Sequence, residues 1–99
     1  MVTLINPIEV PQGSEERCLD IWRRTADYLS EQDGFVSARL HRSLAPGARF
    51  RFVGISMWRD DAAISELLAD EAFMALVDEM EFPSAPALYE VVEERVAKE

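Results

Sequence analysis

The run Phe50-Arg-Phe-Val-Gly-Ile-Ser-Met-Trp58, which passes without a spacer into Arg59-Asp-Asp-Ala-Ala63, constrains this chain more than any other stretch. Its alternation gives a strand with Phe50, Phe52, Gly54, Ser56 and Trp58 on one face and Arg51, Val53, Ile55 and Met57 on the other. Both faces carry apolar side chains, so the strand belongs in the interior of a sheet, covered on both sides. An aspartate at 60 or 61 suits the N-terminus of a helix, because its carboxylate accepts from the unpaired amides of the first turn. Trp58 then stands at the junction between a sheet and a helix.

The other elements follow from similar signals. Val2 to Val10 reads as a first strand with Val2, Leu4, Asn6, Ile8 and Val10 on one face, and Pro7, which lacks a donor, predicts an edge position or a bulge. Asn6 shares an otherwise apolar face; one account is that its amide satisfies backbone groups left open by Pro7. Ser14 is the expected N-cap of a helix to about Ser30, in which Cys18, Ile21, Trp22, Thr25, Ala26 and Leu29 form the inward stripe. Trp22 on that stripe reads first as core and second as a ligand contact. Asp20 with Arg24 and Arg23 with Asp27 have the supportive spacing on the solvent side.

Gly34 supplies a left-handed turn after the helix, and Phe35 to Leu44 alternates as a strand whose polar face holds Ser37, Arg39 and His41. His41 is the one side chain with an ordinary pKa near neutrality, hence a candidate acid or base; plain solvation on a polar strand face is the other reading. Ala45-Pro-Gly-Ala48 turns the chain back as a hairpin. After Asp61 the helical pattern loses phase near Ala69-Asp70-Glu71, which predicts a break with Asp70 capping a second piece that carries Phe73, Leu76, Val77 and Met80. Pro83 and Pro86 keep 82–86 extended, and Ala87 to Val96 predicts a last strand.

Strand, helix, strand, strand, broken helix, strand is the ferredoxin-like β-α-β-β-α-β order of the α+β class, with a four-stranded antiparallel sheet and helices on one face. Residues 1–99, 48% hydrophobic, make one domain with one core. The sheet's other face is also apolar, so two copies are expected to stack sheet on sheet as a homodimer, a dimeric α/β barrel. A net charge of −9 argues against nucleic acid and against an anionic membrane surface as partners. Cys18 alone makes no internal disulfide and reads as a small buried residue; one Cys with one His cannot complete a structural zinc site. No basic leader with an apolar core opens the chain and no apolar run reaches about 18 residues, so the cytoplasm is the default location.

Taken together, Thr3-Leu-Ile-Asn-Pro-Ile-Glu-Val10, Gly34-Phe-Val, Leu40-His-Arg, the Phe52 to Trp58 strand with Arg-Asp-Asp-Ala-Ala, Asp70-Glu-Ala-Phe73 and Leu88-Tyr-Glu-Val-Val92 resemble the antibiotic biosynthesis monooxygenase family over nearly the whole chain. The resemblance implies a small oxygenase that converts an anthrone-like polycyclic phenol to a quinone with O₂ and no cofactor. It implies Asn6 as a hydrogen-bond donor to the developing oxyanion and Trp58 as pocket wall and indole donor, with His41 or Tyr89 accepting a proton. Trp22, Phe52, Gly54, Phe73 and Tyr89 are the expected contacts to a hydrophobic aromatic substrate. Gly54 departs from the pattern, since these oxygenases commonly carry a second asparagine there. A haem-degrading relative would need a histidine where this chain has Val77. The reading from outside enzymology is a dimeric barrel that binds a hydrophobic small molecule, with Asn6 and Trp58 kept for structure.

Overall fold

The computed structural model describes residues 1–98 and gives β1 (Val2–Ile8), α1 (Glu15–Leu29), β2 (Phe35–Arg42), β3 (Phe52–Trp58), α2 (Asp61–Leu68), α3 (Glu71–Glu79) and β4 (Ala87–Tyr89). The strands form one antiparallel sheet in the order β2-β3-β1-β4, the α+β, ferredoxin-like arrangement expected from the order of elements. β3 is interior, and its inward residues Phe52, Gly54, Ser56 and Trp58 are all buried while Val53, Ile55 and Met57 on the far face are only half-buried. The register carries the same parity to β1, where Val2, Leu4, Asn6 and Ile8 lie opposite Trp58, Ser56, Gly54 and Phe52. Helices therefore cover one face and leave the other without cover.

The inward face of β3 runs large, none, small, large: Phe52, Gly54, Ser56, Trp58. The core divides accordingly. One cluster gathers Trp58 with Leu29, Ala63, Ile64, Leu67 and Phe73. The other gathers Phe52 with Ile8, Cys18, Ile21 and Phe82. Between them the same sheet face carries Asn6, Gly54, Ser56 and Ala38, with Leu4 and Leu40 packed against one cluster each, which leaves a gap under α1 and α3. Cys18 is fully buried, and burial pushes its thiol up, which makes it a packing residue and a poor nucleophile.

Several expectations are corrected. Pro7 is in an interior strand, between β3 and β4; its missing donor faces the β4 side, where its carbonyl still accepts from the amide of Ala85 at 3.2 Å. Ser14 occupies the N-cap of α1 without a side-chain hydrogen bond. Asp20 pairs with Arg24 at 3.4 Å, but no ion pair joins Arg23 to Asp27 among the described residues. The third strand begins at Phe52, two residues later than expected, after Ser43 N–H donates to the Arg51 carbonyl at 2.8 Å and closes the hairpin. The last strand stops at Tyr89, well short of Val96. Tyr89 pairs with Thr3, and β1 itself starts at Val2, so the chain beyond Tyr89 has run out of partner within one copy.

The predicted break between α2 and α3 is real and is built on carboxylates. Asp60 accepts from the Ala63 amide at 3.0 Å, and Asp70 accepts from the amides of Ala72 at 2.9 Å and Phe73 at 3.3 Å and from the Tyr28 hydroxyl. The Tyr28 hydroxyl first, then the two amides, hold the Asp70 carboxyl below the usual carboxylate range, against the opposing effect of its partial burial. A depressed carboxylate contributes stability that is present above its unfolded pKa, about 4, and is lost as pH falls through the lower folded value. Thermal midpoints of Asp70→Asn measured from pH 7 to pH 3 should therefore fall less steeply than those of the parent chain. Parallel curves would show that the carboxylate charge at this joint is idle.

Candidate active site

The gap between the two core clusters is a cavity of about 250 Å³. β1 supplies Leu4, Asn6 and Ile8 to its wall, β3 supplies Gly54 and Ser56, α1 supplies Trp22, Thr25 and Leu29, and α3 supplies Phe73, Leu76 and Val77. Ser84 and Pro86 of the extended connection close one side. The wall is mainly hydrocarbon, and none of the lining residues has an ionisable side chain. α3 is held against α1 by Arg24, whose guanidinium donates to both carboxylate oxygens of Glu79 at 3.0 and 3.1 Å, and by the Arg17–Glu81 pair. These pairs are exposed and contribute little stability, but they fix where the roof sits.

Asn6 is the polar feature of this space. Its Oδ1 is buried without a hydrogen-bond partner among the described residues, and the amide makes no side-chain hydrogen bond there. Backbone groups near Pro7 are thus not what it serves. A buried amide oxygen left unpaired costs about 1–3 kcal/mol. Rotation of the amide by a half turn exchanges donor and acceptor, so Asn6 offers the cavity one of each.

Of the other expected residues, Trp22, Gly54 and Phe73 line the cavity with Asn6. Trp58 does not. It is fully buried, meets Phe35 edge to face at 5.4 Å, and donates its indole N–H to Ser56 Oγ at 2.9 Å. Its contact with the cavity is indirect, through Ser56. Phe52 is buried in the second core cluster and is absent from the wall. His41 and Tyr89 are exposed, and strand parity puts both on the uncovered sheet face, opposite Asn6. His41 instead borders a shallow depression around the β2 edge with Arg39 and Arg42. Within one copy neither reaches the cavity. Val77 does line the cavity and brings no imidazole. Among the described residues no group of three or more His, Cys, Asp or Glu could hold a metal ion, and no helix is long and apolar enough to cross a membrane. Thr25, Ser56 and Ser84 are wall residues that the sequence reading passed over; for Ser56 the signal was its place between Gly54 and Trp58 on one strand face.

A helix-covered four-stranded sheet enclosing a small, mostly apolar cavity is a domain of the ferredoxin-like α+β class. The chain belongs to the antibiotic biosynthesis monooxygenase family, whose model matches residues 1–79. Among solved structures it is similar to a proposed monooxygenase from Shewanella loihica PV-4, at 31% identity over 94% of this chain and 95% of that one, with a TM-score of 0.82. It is also similar to SnoaB, a cofactor-independent oxygenase from Streptomyces nogalater, at 25% identity over 94% of each chain and a TM-score of 0.82. A family member from Deinococcus radiodurans superposes over the full length of both chains with a TM-score of 0.81 at 14% identity, which speaks for the fold alone. Comparison with curated proteins gave no match.

Proposed function

We propose that this chain is a cofactor-independent monooxygenase that oxidises a compact polycyclic phenol of the anthrone type, acting as a homodimer. The observation that carries this reading is Asn6, whose Oδ1 is buried without a partner among the described residues, on the wall of a mainly apolar cavity. An anthrone needs little from a protein beyond such a place. Its methylene and one O₂ become a carbonyl and one water, and the electrons come from the substrate itself. The ionised substrate reduces O₂ directly, so the protein's part is to exclude water, orient the ring and hydrogen-bond the enolate oxygen. At about 250 Å³ the space is at or below the small end of ligand pockets, which run from about 300 Å³ upward, so two or three fused rings set the upper size. SnoaB, similar in fold and at 25% identity, is a cofactor-independent oxygenase, which agrees with this reading.

Because no ionisable side chain lines the cavity, the substrate's proton goes to water or is lost before entry. The test is oxygen uptake by metal-free protein with 1,8-dihydroxyanthrone, followed across pH. Uptake above the spontaneous rate, with a pH dependence that tracks the acidity of each substrate in a series, is the expected result. A pH profile fixed at one value for all substrates would point to a protein base and overturn this account of the proton. The lack of an ionisable wall residue equally favours a second reading, a barrel that binds a hydrophobic ring without turning it over. Tight binding with no uptake would decide for that one.

A further inference from the structure

We infer that Trp22 and Gly54 form a slot for the acceptor oxygen of a flat ring, the Trp22 indole N–H donating to that oxygen; this rests on reading the cavity as a site for an aromatic ligand. Residue 54 has no backbone need for glycine, because its φ is not in the left-handed region. Nor does steric crowding demand it. A Cβ built there would meet Trp22 Nε1 at 3.4 Å, and the Asn6 carbonyl and Leu40 Cδ1 at 3.9 Å, all ordinary contacts. What glycine leaves beside the indole nitrogen is room for one small group, an oxygen and not a ring. The same contacts show that Trp22 brings its nitrogen, the polar corner of the ring, to this place.

The two tryptophans of the chain differ in what their N–H groups do. That of Trp58 is used by Ser56, whereas Trp22 Nε1 lines the cavity with no hydrogen bond to any described residue. Trp22 is half-buried, so its N–H is open to an acceptor that enters the cavity. Asn6, directly across from Gly54 in the β1–β3 register, is likewise unpaired. The Trp22 nitrogen and the Asn6 amide thus flank a position without a side chain, and neither has a side-chain partner among the described residues. The indole is a donor only, so the ligand atom it meets is a carbonyl or phenolate oxygen, and the half-turn freedom of Asn6 accommodates a second oxygen in either protonation state.

Fluorenone and fluorene, flat tricycles that differ by one carbonyl oxygen, are the probes, with binding measured by calorimetry. The parent chain should prefer fluorenone by about fivefold or more, the worth of one neutral hydrogen bond. Trp22→Phe keeps the ring and removes the donor, so the preference should fall to near one. Gly54→Ala should weaken fluorenone by about fivefold or more and fluorene little, while leaving the thermal midpoint within a few degrees, since the methyl fits the protein and takes the oxygen's place. An undiminished preference in Trp22→Phe, an unaltered fluorenone affinity in Gly54→Ala, or a parent chain that binds neither probe would each overturn the slot. Fluorenone is not oxidised, so the result stands apart from catalysis. Loss of anthrone-dependent uptake with the preference intact would sink the oxygenase reading alone; uptake with a preference indifferent to Trp22 would sink the slot alone.

Discussion

Asn6→Leu should slow oxidation of the phenolic substrate by about a hundredfold, the usual loss when one preorganised donor to a developing oxyanion is removed, and at the same time raise the thermal midpoint. The two effects have opposite signs for one reason. In the free protein the Asn6 Oδ1 is buried and unpaired, a state that costs about 1–3 kcal/mol and is repaid only when a ligand supplies the partner. Leucine has the same number and branching of side-chain heavy atoms, removes the unpaired oxygen and extends the apolar wall made by Leu4 and Ile8. For a domain of this size each kcal/mol moves the midpoint by about 4–8 °C. Melting curves and an oxygen electrode suffice to check both. A midpoint and rate that fall together would make the amide structural, and a higher midpoint with undiminished rate would make it a bystander.

Much of this site is legible in β3 alone. Phe52-x-Gly54-x-Ser56-x-Trp58 on one strand face says that the core is full at both ends and empty in the middle, and Asn6 falls opposite the empty part once β1 is paired with β3. The partition of roles is less legible. Trp58 stands two residues from Ser56 on one face, and whether its N–H turns to that hydroxyl or into the cavity is a matter of side-chain rotation that no alternation pattern records. His41 attracted attention through its chemistry, yet its own strand parity, which groups it with Arg39 and against Leu40, places it away from Asn6. The false extension of β4 to Val96 has another origin. The segment does alternate in places, but a strand needs a neighbour, and the register that pairs Thr3 with Tyr89 leaves almost nothing of β1 beyond it.

Met57→Asp should convert a dimer into a monomer, with a dissociation constant raised more than a hundredfold. Val53, Ile55 and Met57 lie on the face of β3 that no helix covers, beside Ile5 of β1, and all are half-buried in the single copy. Past the end of β1, Val91, Val92 and Val96 are 69%, 92% and 80% exposed. A single copy thus leaves an apolar sheet face and an apolar, unpaired terminal segment in water, surfaces that a second copy stacked face to face would cover together. A carboxylate at position 57 would be buried in that contact, with Thr3 and Ser37 and no cation directly opposite it in the register. An uncompensated buried charge costs about 3 kcal/mol or more, which is over a hundredfold in affinity at about 1.4 kcal/mol per decade. The fold of each copy should survive, because the substitution touches neither core cluster. Sedimentation of the parent chain and the variant decides the matter. A variant that remains dimeric places the contact elsewhere, and a parent chain that sediments as a monomer leaves the open face without the partner argued for it.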